Sequence, residues 1–130
     1  MLIIGSCIRI FDNSGAREVK IISMRVKQTF KRSYVTKNNV IRGTITKSIP
    51  HKKVQKHQLV LVLITGVCKK INRQNGIFFN FTKNFGIVVK YNFKMRFDPV
   101  GTKVSRPTMK EVRKEHKQDE KLAKLLKKRF

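Results

Sequence analysis

Apolar and polar residues alternate along about the first hundred positions of this chain, the period-two pattern of half-buried strands. Cys7-Ile8-Arg9-Ile10-Phe11 places Ile8 and Ile10 on one face and predicts a first strand. A second covers Glu18 to Val26, with Val19 and Ile21 on one side and Ile22, Met24 and Val26 on the other, a change of phase that a bulge would produce. A third runs from Val40 to Ile49, where Ile41, Gly43, Ile45 and Lys47 oppose Arg42, Thr44, Thr46 and Ser48, and Pro50 ends it. Leu59 to Ile64 is continuously apolar; a helix is conceivable, but β-branched content and short length favour a strand buried on both sides. Ile77 to Phe81 and Ile87 to Phe93 complete the set, the latter with Ile87, Val89, Tyr91 and Phe93 on one face.

Turn chemistry separates these runs. Asp12-Asn13-Ser14-Gly15 is dense in residues that bond their own backbone or accept positive φ, and Asn75-Gly76 is a hairpin signal. Short strands, tight turns and no helical period before Pro107 predict a mainly β fold: a small closed antiparallel barrel of about five strands, with protruding basic hairpins. Closure also removes sheet edges that little else here protects.

After Pro107 the period changes. Met109, Val112 and His116 form one apolar stripe, and Leu122, Leu125 and Leu126 another. Lys117-Gln118-Asp119-Glu120 between them reads equally as a hinge or a polar helical turn. Pro99 and Gly101 predict a bend before the helix, and Thr108 with Glu111 forms a capping-box pattern at its start. The expected organisation is a barrel body over residues 1–106 and a C-terminal basic α-helical extension over 107–130, within one domain.

Charge changes the picture most. Lys and Arg number 31 against 7 Asp and Glu, a net charge of +24. Self-repulsion at that density opposes a compact state unless a polyanion neutralises it, and nucleic acid does so with favourable counterion release. An anionic membrane is the other polyanion, but no run of about 18 apolar residues could span one. The opening Met1-Leu2-Ile3-Ile4-Gly5 reads as neither signal nor transit peptide. Cys7 and Cys68 sit in apolar contexts without a Cys-x-x-Cys spacing and read as buried thiols.

Catalytic readings fail. Asp12 and Ser14 have no His base nearby in sequence, Glu18 and Asp98 are isolated, and no phosphate-binding or dinucleotide fingerprint occurs. His51 and His57 lack a Cys or carboxylate companion for a metal. The chain reads as a non-enzyme without metal or cofactor. Two loops have the composition of RNA contacts: Lys31, Arg32 and Tyr34, with Phe30 beside them, and Lys52, Lys53 and Lys56. Solvated loops with aromatics tucked into the core are the blander reading of both.

Two separated motifs carry a family resemblance. Pro99-Val100-Gly101-Thr102-Lys103-Val104, then Pro107, then Lys110-Glu111-Val112-Arg113, resembles the C-terminal signature of ribosomal large-subunit protein fourteen, the universal L-fourteen family. Asp12-Asn13-Ser14-Gly15-Ala16-Arg17 resembles that family's Asp-Asn-Ser-Gly-Ala-basic turn, and the segments between follow in similar order over about residues 2 to 115. Departures include Gly66 and Cys68 where basic residues are usual, and Arg106 in place of Gly.

The resemblance implies a structural constituent of the large subunit. It would bind large-subunit rRNA, contact small-subunit rRNA at an intersubunit bridge, and neighbour ribosomal proteins nineteen and three, with no membrane partner. A free basic RNA- or DNA-binding module is the alternative. Charge and resemblance together nominate as RNA contacts Arg9, Asn13, Ser14, Arg17, Lys31, Arg32, Tyr34, Lys37, Lys47, Lys52, Lys53, Lys56, Lys69, Lys70, Arg73, Lys103, Arg106, Lys110 and Arg113. The basic faces of the tail could follow rRNA or stay disordered. Lys, Asn, Ile and Phe, all drawn from AT-rich codons, make 51 of 130 residues, which suggests a mitochondrial matrix ribosome, with an AT-rich bacterium or a plastid as alternative.

Overall fold

The computed structural model describes residues 2–25, 39–94 and 96–127. Eight strands and two short helices follow in order: β1 (Cys7–Ile10), β2 (Ala16–Arg25), β3 (Val40–Ser48), β4 (Leu59–Gly66), β5 (Ile71–Asn72), β6 (Phe78–Phe79), β7 (Phe85–Tyr91), β8 (Phe97–Pro99), α1 (Lys110–Glu115) and α2 (Glu120–Leu125).

Strands β1, β2, β3, β4 and β7 close into a barrel. The expected five-strand barrel is present, but its closing seam is parallel, pairing Arg9 with Phe85 and Ile10 with Gly86. Parity requires this: an odd ring of up-and-down strands cannot be antiparallel at every neighbour. β8 continues along β7 beyond the seam, pairing Val89 with Pro99 and Tyr91 with Phe97. β5 and β6 form a separate two-stranded hairpin around the Asn75-Gly76 turn.

The core follows from strand phase. Ile8, Ile10, Val19, Ile21 and Ile45 point inward, each alternating with exposed or half-exposed neighbours, and Ile41 is buried beside Val40. A register shift between Ile21 and Ser23 turns Ile22 outward and returns Met24 to the core. Val62, Leu63 and Ile64 are all fully buried, so β4 is covered on both faces, as its unbroken apolar run predicts. Part of that cover is the C-terminal segment: Met109 N–H donates to Thr65 O, and Met109, Val112, Leu122 and Leu126 join the same apolar cluster. Burying each of the two leucines contributes about 2–3 kcal/mol, which is what holds such short helices down.

Several expectations change. Met109, one position after the expected Thr108, is the N-cap of α1 and makes no side-chain cap hydrogen bond, and the Glu111 carboxylate reaches Arg73. The segment between the apolar stripes is a break, with α2 starting after Asp119. Cys7 is exposed and Cys68 half-buried, since Cys7 takes the outward phase of β1. β7 ends at Tyr91, and Phe93 lies in the turn beyond it rather than on the core face. Of Ile77 to Phe81 only Phe78–Phe79 pairs as strand, because Ile77 belongs to the hairpin turn.

Candidate nucleic-acid interface

The Asp12–Gly15 turn is the hub of the basic surface, because three segments distant in sequence are fastened to it. Asp12 folds its carboxylate back: Oδ1 accepts from the N–H and hydroxyl of Ser14, and Oδ2 accepts from Val88 N–H at 2.9 Å. Asn13 faces the other way. Its Oδ1 accepts from the N–H groups of Thr102 (2.7 Å) and Lys103 (3.1 Å), and its Nδ2 donates to Thr102 Oγ1 at 2.8 Å. Ser105 donates both its N–H (2.8 Å) and its hydroxyl (3.0 Å) to Phe11 O. Gly101 permits this approach, since a Cβ there would stand 2.8 Å from Asn13 Oδ1. The two sequence motifs therefore form one structural unit.

The loop after β3 joins from the opposite side. Ile49 N–H donates to Gly15 O (2.8 Å), Lys52 packs its stem over Gly15, and Lys53 Nζ donates to Val100 O at 3.0 Å. Lys52, Lys53 and Lys56 are all exposed. On the far side of the 99–106 strap, Arg106 is exposed with its guanidinium 4.6 Å from the centre of the Phe11 ring, a cation–π contact that fixes its direction. A cleft of ≈ 290 Å³ lies between strap and α2, lined by Thr102, Lys103, Val104, Arg106, Thr108, Lys124 and Leu125. Cations from positions 52, 53, 103, 106 and 124 thus surround one end of the barrel. Cation and hydroxyl groups of this kind bind phosphate oxygens.

The remaining nominated residues divide into groups. Arg9 and Lys47 flank Glu18 across β1, β2 and β3; Lys47 pairs with Glu18 at 3.0 Å while staying 68% exposed, and Arg17 is exposed beside them. Lys69 and Lys70 are exposed at the base of the hairpin. Arg73 has other work. It makes a two-point pair with Glu111 (2.8 and 3.4 Å), sits 4.4 Å from the Phe79 ring centre, and locks the hairpin to α1. Lys110 and Arg113 are half-exposed on α1. Ser14 is fully buried with its hydroxyl bonded to Asp12, which makes it a turn element, and Asn13 is a strap anchor. Lys31, Arg32, Tyr34 and Lys37 lie outside the described residues.

Lys124 belongs to the basic tail face that the sequence leaves open between rRNA contact and disorder. The Leu122, Leu125, Leu126 stripe signalled that α2 would dock, but only the docked helix shows which of its cations meets the strap.

Acidic groups do little to offset this surface. Five of the seven have internal partners: Asp12 in the turn, Glu18 with Lys47, Asp98 with Asn92, Glu111 with Arg73, and Asp119 with His116. Among the described residues no group of three or more His, Cys, Asp or Glu side chains could hold a metal ion. No helix among them is long and apolar enough to cross a membrane.

A family model described as ribosomal protein L14p/L23e matches residues 1–126. That span takes in the Asp12–Gly15 turn, the 99–106 strap and both helices. It is the family to which the two interlocked motifs already pointed. The chain belongs to the ribosomal protein L14p/L23e family, and is a non-enzymatic structural protein of the large ribosomal subunit.

Proposed function

We propose that this protein binds large-subunit rRNA through the surface centred on the Asp12–Gly15 turn. The observation that carries the reading is convergence: Lys52, Lys53, Lys103, Arg106 and Lys124 come from three separate segments to one end of the barrel. The strap and turn that hold them are cross-linked by Asn13. A rigid array of cations binds a polyanion with less ordering cost than the same charges on a flexible tail. Lys56, Lys69, Lys70, Lys110 and Arg113 extend the surface, and Arg9, Arg17 and Lys47 form a second, flatter patch on the barrel wall. Lys31, Arg32, Tyr34 and Lys37 belong to the same assignment through their sequence chemistry.

The finer placement follows the family resemblance. It puts the protein at the face that meets the small subunit, where it contributes an intersubunit bridge to small-subunit rRNA and neighbours ribosomal proteins nineteen and three. The abundance of Lys, Asn, Ile and Phe supports a ribosome of the mitochondrial matrix.

The test is binding of the full chain to deproteinised large-subunit rRNA across a salt series. Lys103→Glu with Arg106→Glu should lower affinity and reduce the log–log salt slope by roughly one per lost phosphate contact. An unchanged slope would move the interface elsewhere.

A further inference from the structure

Phe93 is 105% exposed, its ring wholly in solvent, yet Asn92 and Arg96 on either side of it are hydrogen-bonded to the body. Asn92 N–H donates to Arg96 O at 2.8 Å, closing the turn. Asn92 Nδ2 donates to Asp98 Oδ2 at 3.0 Å, tying it to β8, and Arg96 donates to Gln118 O at 3.0 Å, tying it to the break between the helices. Tyr91 packs edge-on against Phe97 at 5.3 Å and keeps 45% of its surface in water.

The surroundings of the ring decide what it fits. Lys90, Lys94 and Arg96, all within three positions of it in the chain, are exposed. An apolar protein pocket closing over Phe93 would have to desolvate those cations, which is costly, whereas a nucleic-acid strand offers a flat π-face to the ring and phosphates to the ammonium groups. A single exposed Leu needs no such account. A fully exposed aromatic flanked in sequence by exposed cations, in a chain of net charge +24, matches the composition of a base-stacking platform.

We propose that Phe93, two positions past the end of β7, is a stacking site for one unpaired RNA base, with Lys90 and Lys94 on the flanking phosphates. This rests on the reading that the protein binds rRNA, and adds to the phosphate surface a second contact made through a base face on the turn after β7.

The chain has no tryptophan, so Phe93→Trp creates a single fluorescent reporter at the site. With deproteinised large-subunit rRNA as probe, its emission should be quenched on binding, while affinity stays near that of the wild type. Phe93→Ala and Phe93→Leu should each weaken binding by about 5- to 100-fold with the salt slope unchanged. Because the ring is already in water, neither variant should alter folding. Wild-type affinity for both variants, with no quenching of the tryptophan, would overturn the stacking site but leave the phosphate surface standing. Absence of rRNA binding by the wild type would instead remove the reading beneath it. Should the alanine variant bind naked rRNA normally but leave assembled subunits more easily, with leucine restoring retention, the ring docks into protein and the proposal is wrong.

Discussion

Asp12 Oδ2 accepts the N–H of Val88 at 2.9 Å, in the interval on β7 where β1 has ended and β8 has not yet begun. A side chain here stands in for a missing strand. Val88 is 1% exposed, so its amide has no water to turn to. Asp12→Ala should therefore cost about 1–3 kcal/mol for the stranded amide, and more as the Ser14 bonds go with it. Urea denaturation at constant m-value measures this; an unmoved midpoint would mean the amide finds another acceptor.

Asn13 should behave differently although it lies next door. Its partners Thr102 and Lys103 are exposed, so water can replace the carboxamide, and Asn13→Ala should cost only about 1 kcal/mol. Its larger effect should be local. Amide exchange at Thr102 and Lys103 should accelerate while the β4 amides keep their protection.

Arg73 and Glu111 offer a comparison of ion pairs inside one molecule. Their side chains are 17% and 20% exposed and meet at two points, whereas Lys47 in the Lys47–Glu18 pair is 68% exposed. Double-mutant cycles should give about 1 kcal/mol or more for the first and close to the ~0.2 kcal/mol floor of exposed pairs for the second. Equal couplings would show that burial and two-point geometry do not matter at Arg73.

Gly66 lies where the fold leaves no room for a side chain. A Cβ at Gly66 would fall 2.3 Å from the Phe85 ring, which packs edge-on against both Phe11 and Phe81. Gly66→Ala should cost about 1–3 kcal/mol by overpacking, and Phe85→Leu in the same chain should recover part of it. Thermal unfolding of the single and double variants reads this directly; additive losses would exclude the steric explanation.

Local features of the fold were legible in the sequence where one periodicity governed them. The alternation in β3 and the unbroken apolar run of β4 each matched their burial. Alternation misled at Phe93, because the pattern continues past Tyr91 while the backbone turns. The three-residue β8 is too short to carry a period at all. Glu111 fits a capping pattern in the sequence, and nothing local announces its ion pair when Arg73 is 38 positions away. The gathering of Lys53, Lys103 and Lys124 was equally hidden, since their neighbourhood exists only once the ring has closed and α2 has docked.

The parallel seam has a consequence for synthesis. β1 has only β2 beside it until Phe85 and Gly86 have been made, and Asn13 waits 89 positions for Thr102. Contacts of such sequence separation slow folding, so the ring shuts only after β7 has been made rather than strand by strand. The cations of the strap reach their final places only then. Topology thus sets a timetable: the nascent chain is a diffuse polycation first, and acquires a shaped binding face only once the strap has been made.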